Sequence, residues 1–391
     1  MMNKRTSIHP QPPRRFSGCR LLWLMIGSLF LVACGDESAE QQLLAHAAHG
    51  IITPWYVELD AHASQFVTQS AAFCQAGQEK TDLYPQLQQQ WRNTMTAWAR
   101  VQPIGFGPIE DGNLRWKLQF WPDRKDLTRK KVEALISGDE VLSAKRIASA
   151  SISVQGLAAL EYLLFDERGG TLKRYINDPQ AQRRCHILEA ITTRVQQVTF
   201  QLVSQWRGDV TQHSFADQLS QPGEGNDQYP DNNAALGELL NTLVVGTEVV
   251  KRNKLGIPIA SNKPDGRTKP YRLEAWRSQH SLPLMKASVG SLEQLYRGDK
   301  GYGLADYLAR DRQVDASLLQ RIDDTFIDVN KRFSVLEGPL FTQLKQSRVK
   351  ESEHYTALFE LYKDLEKLQV ALNQLPAKLG IQLGFNSNDG D

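Results

Sequence analysis

Apolar residues recur along most of this chain at steps of three and four. Leu83, Leu87, Trp91, Met95, Trp98 and Val101 form one stripe, and Leu188, Ile191, Val195, Val198 and Leu202 another. Leu236, Leu239, Leu240, Leu243 and Val244 repeat the pattern, as do Ile322, Phe326, Val329, Phe333 and Leu336. The cleanest stripe is Leu358, Leu361, Leu365, Leu368, Leu372 and Leu375. Such spacing gathers apolar side chains on one face of a helix. Thr81 or Asp82 stands where the first of these helices needs a cap. Strand-like alternation is hard to find. The pattern predicts an all-α body of long antiparallel helices, each burying one stripe.

The stripes stop in the middle of the chain. Residues 221–233 are rich in Gly, Pro, Asn and Asp and cannot continue a helix. They divide the body into halves of similar length, 51–220 and 234–391. We expect two related antiparallel bundles, a pseudo-twofold duplication within one compact body, joined by 221–233. Two loops interrupt the helical pattern, Val101 to Gly112 in the first half and Leu255 to Pro270 in the second. Long loops held between packed elements often carry function.

The N-terminus follows another pattern. Arg14, Arg15 and Arg20 precede an apolar run from Leu21 to Ala33. That run falls short of the roughly 20 apolar residues of a membrane span. A basic flank, a short apolar core and small residues before a cut site mark a secretory signal. Cys34 directly follows Leu31-Val32-Ala33. The expectation is a lipoprotein signal over 1–33, with Cys34 carrying lipid, palmitate included, and a polar tether over 34–50. Gly35 after the cysteine differs from the usual inner-membrane retention signal, which points to the outer membrane of a Gram-negative cell. Either its periplasmic or its surface face remains open. His46 and His49 fall in the expected tether, where disorder is the simpler reading.

This processing changes how the bulk numbers read. The formal charge of the whole chain is +2. Residues 1–33 hold Lys4, Arg5, Arg14, Arg15 and Arg20 and no acid, leaving 41 basic against 44 acidic residues. A nearly neutral body gives no electrostatic case for nucleic-acid binding. Cys19 leaves with the leader and Cys34 takes lipid. Cys74 and Cys185 remain in a compartment where thiols oxidise, so a disulfide between them is expected.

Candidate chemistry concentrates in Gln155 to Phe165, a strongly apolar segment with one carboxylate, Glu161. A buried carboxylate needs a cation, a metal or several donors, or it neutralises. Gly156 would let another element approach its backbone closely. His186 and Glu189 share a helical face, but Leu188 and Ile191 set the buried stripe there, so this pair reads as solvated or structural. No His-Glu-x-x-His and no Gly-x-Ser-x-Gly occurs, and no catalytic residue is assigned. The acidic end, Asn386 to Asp391, lacks the ligand spacing of a calcium loop.

Several segments together carry a resemblance. They are Gly105-Phe106-Gly107-Pro108, Trp121-Pro122-Asp123, Gly156-Leu157-Ala158-Ala159-Leu160-Glu161, Lys269-Pro270 with Glu274 to Ser278, and the closing Gly384 to Asp391. The chain resembles the imelysin-like lipoproteins over nearly all of its mature length. These are bacterial envelope proteins once classed as peptidases and now tied mostly to iron uptake. Their hallmark is Gly-x-His-x-x-Glu; Gly156 and Glu161 match, and Ala158 occupies the histidine position. The resemblance implies two related helical bundles, a cleft lined by the hallmark segment, and an iron-related role. Ala158 cannot ligate a metal, so iron or another divalent ion would have Glu161 as its hallmark donor.

A second polar group comprises Glu110, Asp111 and Arg115 from the first half, with Arg272, Glu274, Arg277 and Ser278 from the second. Trp121 and Trp276 lie near each set. A pseudo-twofold would bring these loops together around Glu161. The arginines would then hold Glu161 ionised or orient an anionic ligand; a buried ion-pair network fixing how the halves pack is the architectural alternative. The expected ligand-binding set is Glu161, Gly156, Glu110, Asp111, Arg115, Trp121, Arg272, Glu274, Arg277 and Ser278. The expected partners are a small ligand or metal, the membrane through the N-terminal lipid, and an envelope protein as the competing reading.

Overall fold

The predicted stripes become helices. The structure is a computed structural model and describes residues 38–208, 214–262, 267–346 and 352–383. The expected signal segment, Cys34 with its expected lipid, and the C-terminal residues from Gly384 lie outside the described residues. The described elements begin with α1, Ala39–Ala45, which passes through π-helical turns at His46–Ile52 into α2, Thr53–Gln75. Then come α3, Lys80–Val101; α4, Leu157–Phe165; α5, Ala181–Arg207; and α6, Asn232–Glu248. The long helices of the second half are α7, Ser281–Arg297; α8, Ala316–Val335; and α9, Glu353–Leu372. Shorter turns connect them, and no strand occurs among the described residues.

Each stripe is buried where its spacing puts it. Leu87, Trp91, Met95, Trp98 and Val101 line the inner face of α3, and Leu358, Leu361, Leu365, Leu368 and Leu372 that of α9. Helix α2 packs against α3 and α5, while α9 packs against α8 and α6. The two sets meet where α3 lies along α7. The described residues, from Ser38 to Leu383, belong to one compact unit. Cys74 on α2 and Cys185 on α5 are joined by the expected disulfide.

Several local expectations change. Neither Thr81 nor Asp82 caps α3, which starts at Lys80 without a side-chain cap. The polar character of 34–50 hides a helix: Ser38 and Gln41 form a reciprocal capping box, and Leu43 and Leu44 are buried. His46 and His49 are helical too, rather than disordered. His46 Nε2 lies 2.7 Å from the carbonyl of Gly298, and His49 Nε2 lies 3.3 Å from Ser220 Oγ. The loop expected from Leu255 starts later, because Val249–Gly256 is π-helical and Ile257–Ile259 continues it. The 221–233 break holds until Asp231, whose side chain caps α6 at Ala234 N. Within that break Asn226 accepts from the backbone N–H of Gln228 and Tyr229.

Candidate functional site

Helix α4 is held by its neighbours at both ends. Gly156 precedes it in an extended conformation. A Cβ there would lie 2.2 Å from the carbonyl oxygen of Leu118 and 2.4 Å from that of Lys117. The close approach expected of Gly156 is therefore backbone against backbone, and no side chain fits. Trp91 donates its indole N–H to Leu157 O at 3.0 Å, and Tyr84 donates its hydroxyl to Leu164 O at 2.8 Å. These bonds orient α4 so that Ala158, Glu161 and Phe165 face a cavity of about 800 Å3.

The cavity walls come from widely separated segments. Gln119 to Asp126 forms one side, and Asp166 to Arg168 follows α4. Tyr271 to Arg277, with Phe341 and Lys345, forms the other side. Tyr271, Trp276 and Phe341 contact one another with ring centroids 4.9–5.2 Å apart. Such contacts add to what the buried area alone contributes.

Glu161 is 4% exposed. Its Oε1 accepts two bonds from one residue, Ser278, from the backbone N–H and the hydroxyl, both at 2.9 Å. Burial pushes its pKa up; the charge of Arg277 and the Ser278 donors pull it back only in part. This corrects the expectation that arginines hold Glu161 ionised. The guanidinium of Arg277 is committed elsewhere. It reaches Asp166 Oδ2 at 2.9 Å and Asp126 Oδ1 at 3.0 Å, and stacks on Trp276 at 4.3 Å. Burial also opposes ionisation of Asp166, but its bonds to Arg168 and Arg277 win and hold its pKa below the usual value.

Behind this wall sits a buried ion pair. Lys254 Nζ lies 2.9 Å from Glu274 Oε2, and both side chains are 1% exposed. Glu274 Oε1 accepts from Gln102 and Gln119, each at 2.9 Å. Ser288 Oγ lies 2.9 Å from Lys254 Nζ. Gln119 also lines the cavity, so the network ties the wall to the core.

The expected site residues thus separate into groups. Glu161, Trp121, Arg272 and Arg277 line the cavity. Gly156, Glu274 and Ser278 stand behind it, setting its shape. Glu110, Asp111 and Arg115 lie outside its lining. Arg115 donates to Glu110 and to the carbonyls of Gln102 and Ile104, while Asp111 is exposed beside Gln205. The two predicted loops therefore do not converge symmetrically on Glu161. His186 is exposed, as its place beside the buried stripe implies. Asp126, Asp166, Arg168, Phe341, Lys345 and Lys254 were not singled out by sequence. Asp166 and Arg168 directly follow the hallmark helix, which is a local signal. Phe341 and Lys345 arrive from more than a hundred residues away and leave none.

The donor set does not fit a resident metal. Ala158 lines the cavity and offers no donor, and Glu161 accepts from Ser278 while burial pushes its pKa up. Among the described residues, no three His, Cys, Asp or Glu side chains gather as a metal-holding group. No described helix is long and apolar enough to cross a membrane.

A family model described as imelysin matches residues 52–372. The chain belongs to the imelysin family. Iron-regulated protein A of Synechococcus elongatus is 24% identical over 323 residues, covering 81% of this chain and 82% of that protein. An imelysin-like protein of known structure from Psychrobacter arcticum 273-4 superposes with a TM-score of 0.71 at 21% identity. The match covers 90% of this chain and 99% of that one. A candidate iron-regulated protein A precursor from Parabacteroides distasonis gives 0.69 at 16% identity, covering 86% and 95%. The imelysin fold accounts for the all-α architecture.

Proposed function

We propose that this imelysin-family protein is a non-catalytic binding protein that serves iron uptake at the bacterial envelope, tethered through lipid on Cys34. The observation that carries the reading is the cavity itself. It encloses about 800 Å3 and is lined by α4 at Ala158 and Glu161. Pockets of this size commonly enclose small ligands. The likeness to a protein named for iron regulation supports the physiological context.

Catalysis finds no support in the same geometry. A peptidase needs an activated nucleophile, or a metal with an activated water. Glu161 is held by Ser278, and Ala158 brings neither base nor ligand. Growth of a deletion strain tests the reading: under iron restriction it falls behind the parent, and iron supply restores it. The purified protein leaves a mixed peptide substrate intact on long incubation. Growth that ignores iron would overturn the role in uptake, and peptide cleavage would overturn the absence of catalysis.

A further inference from the structure

We infer that the cavity takes iron as the cargo of a negatively charged, carboxylate-rich chelate, and not as a bare ion. This rests on the cavity being the binding site proposed above. All but one of the cavity's acids are already used; the exception, Glu167, is a single exposed carboxylate, which alone is too small a donor set for a bare ion. Asp123 accepts the backbone N–H of Leu127 and Thr128, both at 2.8 Å. Asp126 is paired with Arg129 and Arg277, and Asp166 with Arg168 and Arg277. Glu161 accepts from Ser278. A bare ferric or ferrous ion would have to displace these partners to find oxygen ligands.

The cations are in the opposite condition. Arg124, Lys125, Arg272 and Lys345 line the same cavity, and none forms an ion pair with a described residue. Arg124, Lys125 and Lys345 are exposed and Arg272 is half-buried, so their charge is free to meet an anionic ligand entering the cavity. Arginine forks suit carboxylates, which they can hold by paired donors. The Trp121, Trp276 and Phe341 rings line the same cavity, and apolar walls strengthen an attraction between charges. A chelate whose own oxygens enclose the metal needs no donor from the protein. Its outer carboxylates meet the four cations, and about 800 Å3 gives it room.

Equilibrium dialysis of the purified protein, with iron and citrate quantified, tests this with three probes: ferric citrate, citrate alone, and ferrous ion without chelator. Trp91, Trp121 and Trp276 line the cavity and supply a fluorescence readout with gallium citrate. Ferric citrate is expected to bind once per chain, at least tenfold tighter than citrate, and to weaken as salt rises. Arg272→Gln with Lys345→Gln should lower that affinity at least tenfold with an unchanged melting temperature. Arg124→Gln with Lys125→Gln serves should the first pair unfold. Equal binding of citrate alone, tighter binding of bare ferrous ion, or binding of no probe would each overturn the inference. With no probe bound, iron-restricted growth of the deletion strain still decides separately whether the uptake role stands.

Discussion

At the scale of single residues, the cavity turns on what surrounds Glu161. Its carboxyl has neutral donors from Ser278 and no ion pair of its own, so burial dominates and raises its pKa above the ordinary value. A raised folded pKa has a definite sign in stability. The contribution of Glu161 is complete below the ordinary value of 4.5 and is lost as pH rises through the folded value. Glu161→Gln keeps an acceptor for Ser278 and cannot ionise. Its stability relative to wild type should therefore grow in thermal melts as pH rises above the ordinary 4.5 and level off once pH passes the folded value. A difference that stays flat would mean the carboxylate is stabilised after all. The sequence marked Glu161 as a candidate buried acid, because one acid stood in an apolar run, and left open a place at the helix edge; the structure buries it. It could not show that Arg277 would turn to Asp166 and Asp126 instead. That choice depends on contacts between residues more than a hundred positions apart.

At the scale of elements, the helices were legible and their polar ties were not. Stripes such as Leu358 to Leu372 announce a helix because the whole face is apolar and the period is unbroken. Lys254 carries no such signal, since a lysine in sequence reads as solvent-exposed. Yet it is buried within the π-helical turns Val249–Gly256 and paired with Glu274. The pair couples these turns to the segment bearing Tyr271, Trp276 and Arg277, so it positions a cavity wall. Lys254→Met should cost about 3–5 kcal/mol in urea unfolding, because it strands a buried carboxylate. Adding Glu274→Gln should recover most of that loss. A single variant as stable as wild type would show that the pair contributes nothing to the wall. Helix α1 was misread for a related reason. Its polar composition resembles a tether, but Leu43 and Leu44 alone give it a buried face.

At the scale of the whole molecule, the two helical sets of the described residues belong to one compact unit, with α3 against α7 as their seam. The cavity draws its walls from both sides of the central break, so it is a property of the assembled chain. Cys74–Cys185 staples α2 to α5 across 111 residues. In the chain-entropy view, closing a loop of that size is worth about 4–5 kcal/mol. Cys74→Ser with Cys185→Ser should lower unfolding stability by that order, while the helical signal at room temperature is kept. An unchanged stability would show that the oxidised link constrains little. The fold class, the disulfide and the hallmark helix could all be read from local pattern and compartment. The composition of the cavity could not, because Phe341, Lys345 and Asp126 meet there only after folding. The measurement that bears most directly on the account fills the cavity and leaves the rest intact. Ala158→Phe, expressed at wild-type abundance and with wild-type melting behaviour, is introduced into the deletion strain under iron restriction. The account predicts that it fails to restore growth where the wild-type chain succeeds; full rescue by the filled variant would contradict it.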